Sequence, residues 1–300
     1  MIISINKITL DLPASSAILS FVPAKTPNIR SKIVREARKL GADLIGFAPV
    51  SRWVEYDEVQ PAYRPQAIWS KAETVIVLGV PMLLPIIEST PSINYQVMYE
   101  ATNGVLDEAA YRLAVYLNNL GHASVFMPRD GYGSLDILLK KMPACFSQVF
   151  AGKYAGLGTI GYSHNLINPK YGPRARYVSV LTQAKLKGDA VIAGDLCKKC
   201  EVCKRLCPTQ AFTTRPDSII AEMDTISCTK YHQKLADENR WPCGVCAKVC
   251  PIGDDRKLYD SRNIGVYLEE REAIRQDSND PRFRHLVHLR THGADGDGNC

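Results

Sequence analysis

Between Pro27 and Leu40 the apolar positions Ile29, Ile33, Val34, Ala37 and Leu40 recur at helical spacing, and Gly41 stands where such a helix would end. Ala42 to Ala48 then reads as a strand, and a short helix over Pro65 to Ala72 leads into the buried strand Thr74 to Val80. The strongest amphipathic stripe runs from Val105 to Leu120, where Leu106, Ala109, Ala110, Leu113, Leu117 and Leu120 share one face and Gly121 caps the end. Ala123 to Met127 reads as the next strand. Leu135 to Ala155 is predicted helical in large part, and Arg176 to Thr182 is a further strand after a loop containing Pro169 and Pro173. Helices alternating with strands in this way predict an α/β layer.

Length and composition set the outer limits. At 300 residues and 46% hydrophobic, the chain can bury a full core and carry one large domain plus a small one. The expected division is 1–190 for the α/β (α+β) domain, 191–256 for a cysteine module and 257–300 for a helical extension. That extension breaks near Asp277 to Pro281 and ends in the sequence GADGDGNC, expected to be disordered. The longest apolar stretch, Thr74 to Ile87, contains Pro81 and Pro85 and is too short to cross a bilayer. The irregular N-terminus has a weak apolar patch from Ala17 to Val22 but lacks the order of a secretory signal, so a cytoplasmic protein without a membrane partner is expected.

Cysteine spacing supplies the chemistry. Cys197, Cys200, Cys203 and Cys207-Pro208 form one array, and Cys228, Cys243, Cys246 and Cys250-Pro251 form a second. The first is the run in which three close thiolates hold one 4Fe-4S cubane and the fourth reaches the neighbouring cluster. The expected ligands are therefore Cys197, Cys200, Cys203 and Cys250 for cluster 1, and Cys207, Cys228, Cys243 and Cys246 for cluster 2. The prolines turn the chain after each remote cysteine. Zinc could use either array separately but does not call for two Cys-Pro endings, and disulfides would need an oxidising compartment. Cys145 and Cys300 are left over.

Two such clusters bear on the charge. The net +6 comes from 37 basic and 31 acidic side chains, and eight thiolates with two oxidised cores would bring the holoprotein to about +2. Nucleic-acid binding is thus not indicated by charge. Lys198, Lys199, Lys204 and Arg205 still cluster in the first array, either as a solvated rim or as a docking face for an acidic electron donor.

Between the α/β layer and the arrays lies AGLGTIGYSHNLINPKYGPRARYVSVLT, residues 155 to 182. Gly156, Gly158 and Gly161 have G-x-G-x-x-G spacing but follow a helix, so tight turns and a cofactor-binding loop compete as explanations. Tyr162 and His164 are the candidate catalytic groups. Ser163, Asn165, Arg174 and Arg176 are candidates for holding cofactor or substrate, the arginines through a phosphate or carboxylate. A hydrogen-bonding structural histidine and solvated strand-edge arginines are the plainer readings.

This segment, with the two arrays, GADLIGFAPVSRW, LDEAAYRLAVYL, ISCTKYHQKL and CGVCAKVCPIGDD, resembles the epoxyqueuosine reductases and their relatives the corrinoid-dependent reductive dehalogenases, over roughly residues 30 to 256. The resemblance implies a nitroreductase-like α/β sandwich that holds cobalamin, followed by a ferredoxin-like double-cluster module. The expected function is an iron-sulfur oxidoreductase relaying single electrons to a cobalamin-type cofactor. Its expected partners are an external ferredoxin- or flavodoxin-type donor and a small-molecule or nucleoside-like substrate. Dimerisation would suit such a fold. FMN in place of cobalamin, and a non-catalytic electron carrier, are the alternatives. Two departures stand out: Met142 to Phe150 has no acid where those reductases carry a proton donor, and little chain follows the arrays. tRNA as substrate is therefore left open.

Overall fold

A computed structural model describes residues 28–295 except 142, 143, 260 and 262. The readings of the N-terminal patch, Met142 and the last residues of the tail lie outside the described residues. The chain order is α1 (Ile29–Lys39), β1 (Leu44–Pro49), α2 (Arg52–Glu55), α3 (Pro65–Ile68), β2 (Thr74–Pro81), α4 (Leu84–Ile87), α5 (Ile93–Asn119), β3 (Ser124–Met127), α6 (Leu135–Lys140), α7 (Gln148–Tyr154), β4 (Thr159–Ile160), β5 (Leu166–Ile167) and β6 (Ala175–Thr182).

Strands β1, β2, β6 and β3, in that order, make one sheet, and every pairing in it is antiparallel. The register sets Thr74 opposite Thr182 and Pro81 opposite Ala175. β2 and β6 are buried along almost their whole length because both faces are covered. Ile76, Leu78, Val80, Val178 and Val180 pack against α1 and α5, while Val75, Val77, Tyr177 and Leu181 pack against Trp53, Phe146 and Tyr154 on the other side. Double coverage explains why these strands read as continuous apolar runs rather than as alternating ones. The alternating elements of the sequence thus build a mixed α and β fold with antiparallel pairing rather than parallel crossovers.

α5 departs most from expectation. It begins at Ile93, twelve residues before the predicted start at Val105, and its first amides are capped by Ser92, whose hydroxyl accepts from Tyr95 N. The stripe was lost there because the early turns do not face the sheet core: Tyr95, Met98 and Tyr99 pack instead with Met82, Ile87 and Trp241. The predicted helix over 135–155 is two short helices, and that over Pro65–Ala72 is a single turn.

The second part of the chain contains α8 (Val202–Arg205), β7 (Phe212–Thr213), β8 (Glu222–Met223), α9 (Thr225–Asp237), α10 (Val245–Lys248), α11 (Asp255–Leu258), α12 (Gly265–Gln276) and α13 (Arg284–Thr291). Regular structure is sparse here, and α8 and α10, each four residues long, carry cysteines of the two arrays. This part is joined to the sheet layer by specific bonds. Thr90 Oγ1 donates to Cys243 O at 2.6 Å, Trp241 N donates to Gln96 Oε1 at 3.1 Å, and the fully buried Arg174 reaches across to Asp255. Among the described residues no helix is long and apolar enough to cross a membrane.

Candidate active site

The eight array cysteines surround two neighbouring cavities. Cys197, Cys200, Cys203 and Cys250 line the smaller, with Tyr162, Ser163, Ile167 and Ile252 completing its wall. Cys207, Cys228, Cys243 and Cys246 line the larger, of about 280 Å³, and Cys203 and Cys246 border both. Among the described residues no three His, Cys, Asp or Glu side chains are grouped to hold a single metal ion.

Their electrostatics are unfavourable for free thiolates. Burial, together with neighbouring sulfurs, pushes Cys203 and Cys228 up to about 12, and burial pushes Cys250 up to about 11 against the opposing pull of the Ile252 amide and Arg174. Burial likewise raises Cys246, partly offset by a hydrogen bond from Asn165. Such a set of mutually repelling sulfur donors fits a cationic iron core, whose charge would remove the repulsion.

Beyond its sulfurs the larger cavity has a wall from the sheet layer. Tyr95 and Tyr99 come from successive turns of α5, Arg176 from the start of β6, and Met82 directly follows β2. Arg176 Nη2 donates to Asp130 Oδ1 at 2.7 Å and its Nε to Asn103 Oδ1 at 3.1 Å, while the guanidinium lies 4.3 Å from the Tyr99 ring centroid. Tyr99 OH donates to the same Asp130 oxygen at 3.3 Å. Burial holds both phenols above their ordinary range, against the pull of Arg176, so they carry their protons at neutral pH. Met223, Cys228 and His232 also border a second chamber of about 520 Å³, walled by Tyr132, Leu135, Leu138 and Ala144. Burial lowers His232 to about 4, which keeps its ring neutral there.

Of the residues singled out in the glycine segment, Ser163, His164, Asn165 and Arg176 line the larger cavity. His164 Nε2 is 2.8 Å from Ala221 O, the structural hydrogen bond of the plainer reading. The rest require correction. Tyr162 is buried and lines the smaller cavity, not the larger, its N–H 3.5 Å from Cys197 Sγ and its hydroxyl paired with Thr214. Gly156, Gly158 and Gly161 serve close packing: a Cβ on them would overlap Ala190 O, Ile167 O and the Ile167 side chain respectively. Arg174 is fully buried and bonded to Asp255, Ala247 O, Cys250 O and Ile252 O, which leaves it unable to grip a phosphate. Sequence reading missed Tyr95 and Tyr99, whose signal was the aromatic i, i+4 pair in the unstriped half of α5. It also missed Asp130, which had no local motif. Cys145 is exposed and lines neither cavity.

No protein-family model matches the chain. The tetrachloroethene reductive dehalogenase of Desulfitobacterium hafniense is 26% identical over 274 residues, covering 73% of this chain and 47% of its own length. An epoxyqueuosine reductase of Synechococcus sp. (strain RCC307) is 35% identical over 106 residues, covering 32% of this chain and 31% of its own. The chain is thus similar in sequence to reductive dehalogenases and epoxyqueuosine reductases. It spans about half or less of the length of these curated relatives. Solved structures share the fold. A catabolic reductive dehalogenase in complex with 3-bromo-4-hydroxybenzoic acid aligns with a TM-score of 0.59 at 22% identity, covering 89% of this chain and 39% of its own. An epoxyqueuosine reductase with an epoxyqueuosine-modified tRNA stem loop aligns with a TM-score of 0.51 at 17% identity, covering 74% and 64%.

Proposed function

We propose that the chain is the redox portion of a reductase that relays single electrons through two 4Fe-4S clusters to a cobalamin-type cofactor beside cluster 2, where the larger cavity meets the adjoining chamber. The observation that supports it is that the eight array cysteines line two adjoining cavities sharing Cys203 and Cys246, one of them walled also by two tyrosines and an arginine. Residues 1–190 are then a nitroreductase-like layer, 191–256 a ferredoxin-like module and 257–300 an extension.

Each residue has a definite task on this reading. Cys197, Cys200, Cys203 and Cys250 hold cluster 1, and Cys207, Cys228, Cys243 and Cys246 hold cluster 2. Cys200, exposed, brings cluster 1 to the surface, where an external electron donor of ferredoxin or flavodoxin type would dock. Lys199 and Lys204 at that edge are tied to Ser218 O and Thr214, so Lys198 and Arg205 supply the freer positive charge. Met82, Pro173, Phe212 and Met223 provide apolar surface for a large planar ring, and the adjoining chamber gives it room. A corrin held there would supply low-valent cobalt, a nucleophile toward carbon bearing a halide or an epoxide. A structural neighbour is described in connection with B12-dependent dehalogenation. Tyr99 and Arg176 are both directed at Asp130, which leaves Tyr95 as the proton donor, with Arg176 stabilising the phenolate left behind. A flavin is less well served, because the cavity's guanidinium is already paired with Asp130.

Anaerobic purification followed by iron and sulfide analysis, with titration of hydroxocobalamin and FMN, tests the reading. About eight irons per chain and saturable binding of the corrinoid are expected. Zinc without sulfide would overturn it, and eight irons with no corrinoid binding would leave an electron carrier.

A further inference from the structure

Two guanidiniums with no solvent exposure converge on one backbone oxygen, the carbonyl of Cys250. Arg174 Nη1 donates to it at 3.0 Å and Arg256 Nε at 2.7 Å. Arg174 also donates to Ala247 O at 3.2 Å and Ile252 O at 2.6 Å, and Arg256 donates to Lys248 O. The segment from Ala247 to Ile252 is thus gripped from both sides around the cysteine that crosses to the first array. The chain is shaped for this grip. A Cβ on Gly172 or Gly253 would meet Arg174 Nη2 at 2.9 or 2.6 Å, and both residues have positive φ.

The two cations differ in how they are neutralised. Arg174 has a bidentate partner in Asp255, at 2.6 and 2.7 Å, whose side chain is itself nearly buried. Among the described residues the carboxylate facing Arg256 is Glu88, at 3.4 Å and a quarter exposed, and Arg256 Nη1 is otherwise bonded to the neutral Tyr267 hydroxyl at 2.6 Å and to Ser261 O. The nearby Lys248, Glu270 and Arg290 form their own buried group, which adds a further positive charge.

We propose that Arg174 and Arg256 are positioning residues that clamp Cys250 and set the reduction potential of cluster 1, Arg256 acting as the more weakly compensated cation. The proposal rests on the two-cluster reading above. Reduction adds one negative charge to the cluster, so a buried cation bonded to its ligand's own carbonyl favours the reduced form, and a paired cation does so less. The two arginines therefore have separable effects. Removing Arg256 lowers the potential of cluster 1, whereas removing the charge of Asp255 or Glu88 unmasks an arginine and raises it.

The test is an anaerobic, EPR-monitored redox titration of the full-length holoprotein and its Arg256→Gln, Asp255→Asn and Glu88→Gln variants. The signal unaffected by Cys228→Ser belongs to cluster 1. At a fixed potential, Arg256→Gln should lower the reduced-to-oxidised ratio of cluster 1 by about tenfold, equivalent to about 59 mV for a one-electron couple. Asp255→Asn and Glu88→Gln should raise it, with cluster 2 unmoved in all three. Glu88→Gln, at a partly exposed site, keeps the test open if the buried variants fail to fold. Variants with full iron content whose cluster 1 ratio stays at the wild-type value, or moves together with cluster 2, would overturn the proposal. Failure of the two-cluster reading is separately visible, as fewer than eight irons in the wild type.

Discussion

At the residue scale, sulfur spacing and phenol burial govern the chemistry. Cys228 belongs by sequence to neither tight cysteine run, yet it lines the larger cavity with Cys207, Cys243 and Cys246. Replacing it with serine is expected to damage cluster 2 alone, lowering iron toward half while the cluster 1 signal persists, as read by metal analysis and EPR. Tyr95→Phe removes the donor proton without removing the ring that packs on Gly244. Turnover should fall by about 10²–10⁴ with iron content unchanged, and Tyr99→Phe should cost less because its hydroxyl is directed at Asp130. Steady-state rates of the two variants decide the assignment. Tyr162 shows the limit of motif proximity: adjacent in sequence to Ser163 and His164, it turns to the other cavity.

At the element scale, the sheet is held by close approach on both faces. Gly46, in the middle of β1, has no room for a side chain: a Cβ there would lie 2.5 Å from Ala155 O and 2.9 Å from Ala155 Cβ. Gly46→Ala should therefore destabilise the protein by about 1–3 kcal/mol through overpacking, measured as a lower midpoint in denaturant with little change in slope. α5 joins the two levels of the structure. Its second half, with Leu106, Ala110, Leu113 and Leu117, is core against the sheet, and its first half carries the tyrosine wall. The helical stripe was readable only in the half whose environment is uniformly apolar, because periodicity reports burial against one face and the first half meets a cavity instead.

At the scale of the whole molecule, buried charge ties the extension to the cysteine module. Glu270, in α12, accepts from Lys248 at 2.7 Å and from Arg290 of α13 at 2.6 Å, all three side chains being nearly inaccessible. Burial alone would raise the Glu270 carboxyl, but the two cations outweigh it and hold it below the usual carboxylate range. A depressed carboxylate stabilises the fold above its unfolded pKa of about 4.3, and that contribution is lost as pH falls through the lower folded value. Acid should thus release α12 and α13 only below about pH 4, detectable as new proteolytic cleavage at the C-terminal end. Glu270→Ala, which strands two buried cations, should cost about 3–5 kcal/mol at neutral pH in a denaturant titration.

What sequence alone determined is whatever depends on short-range order. Thiolate spacing and Cys-Pro turns mark the eight sulfurs as candidate cluster ligands, because that spacing is local to the chain, and continuous apolar runs mark β2 and β6, because a strand buried on both faces has no polar side. Tertiary structure decided the rest. It alone brings Asp130, Arg176 and Tyr99 together from different elements, since side-chain hydrogen bonds across the fold leave no trace in local pattern. It also reassigns Arg174 from the cavity to the Cys250 loop, because a guanidinium goes where buried carbonyls need donors, and those carbonyls lie more than seventy residues further along the chain.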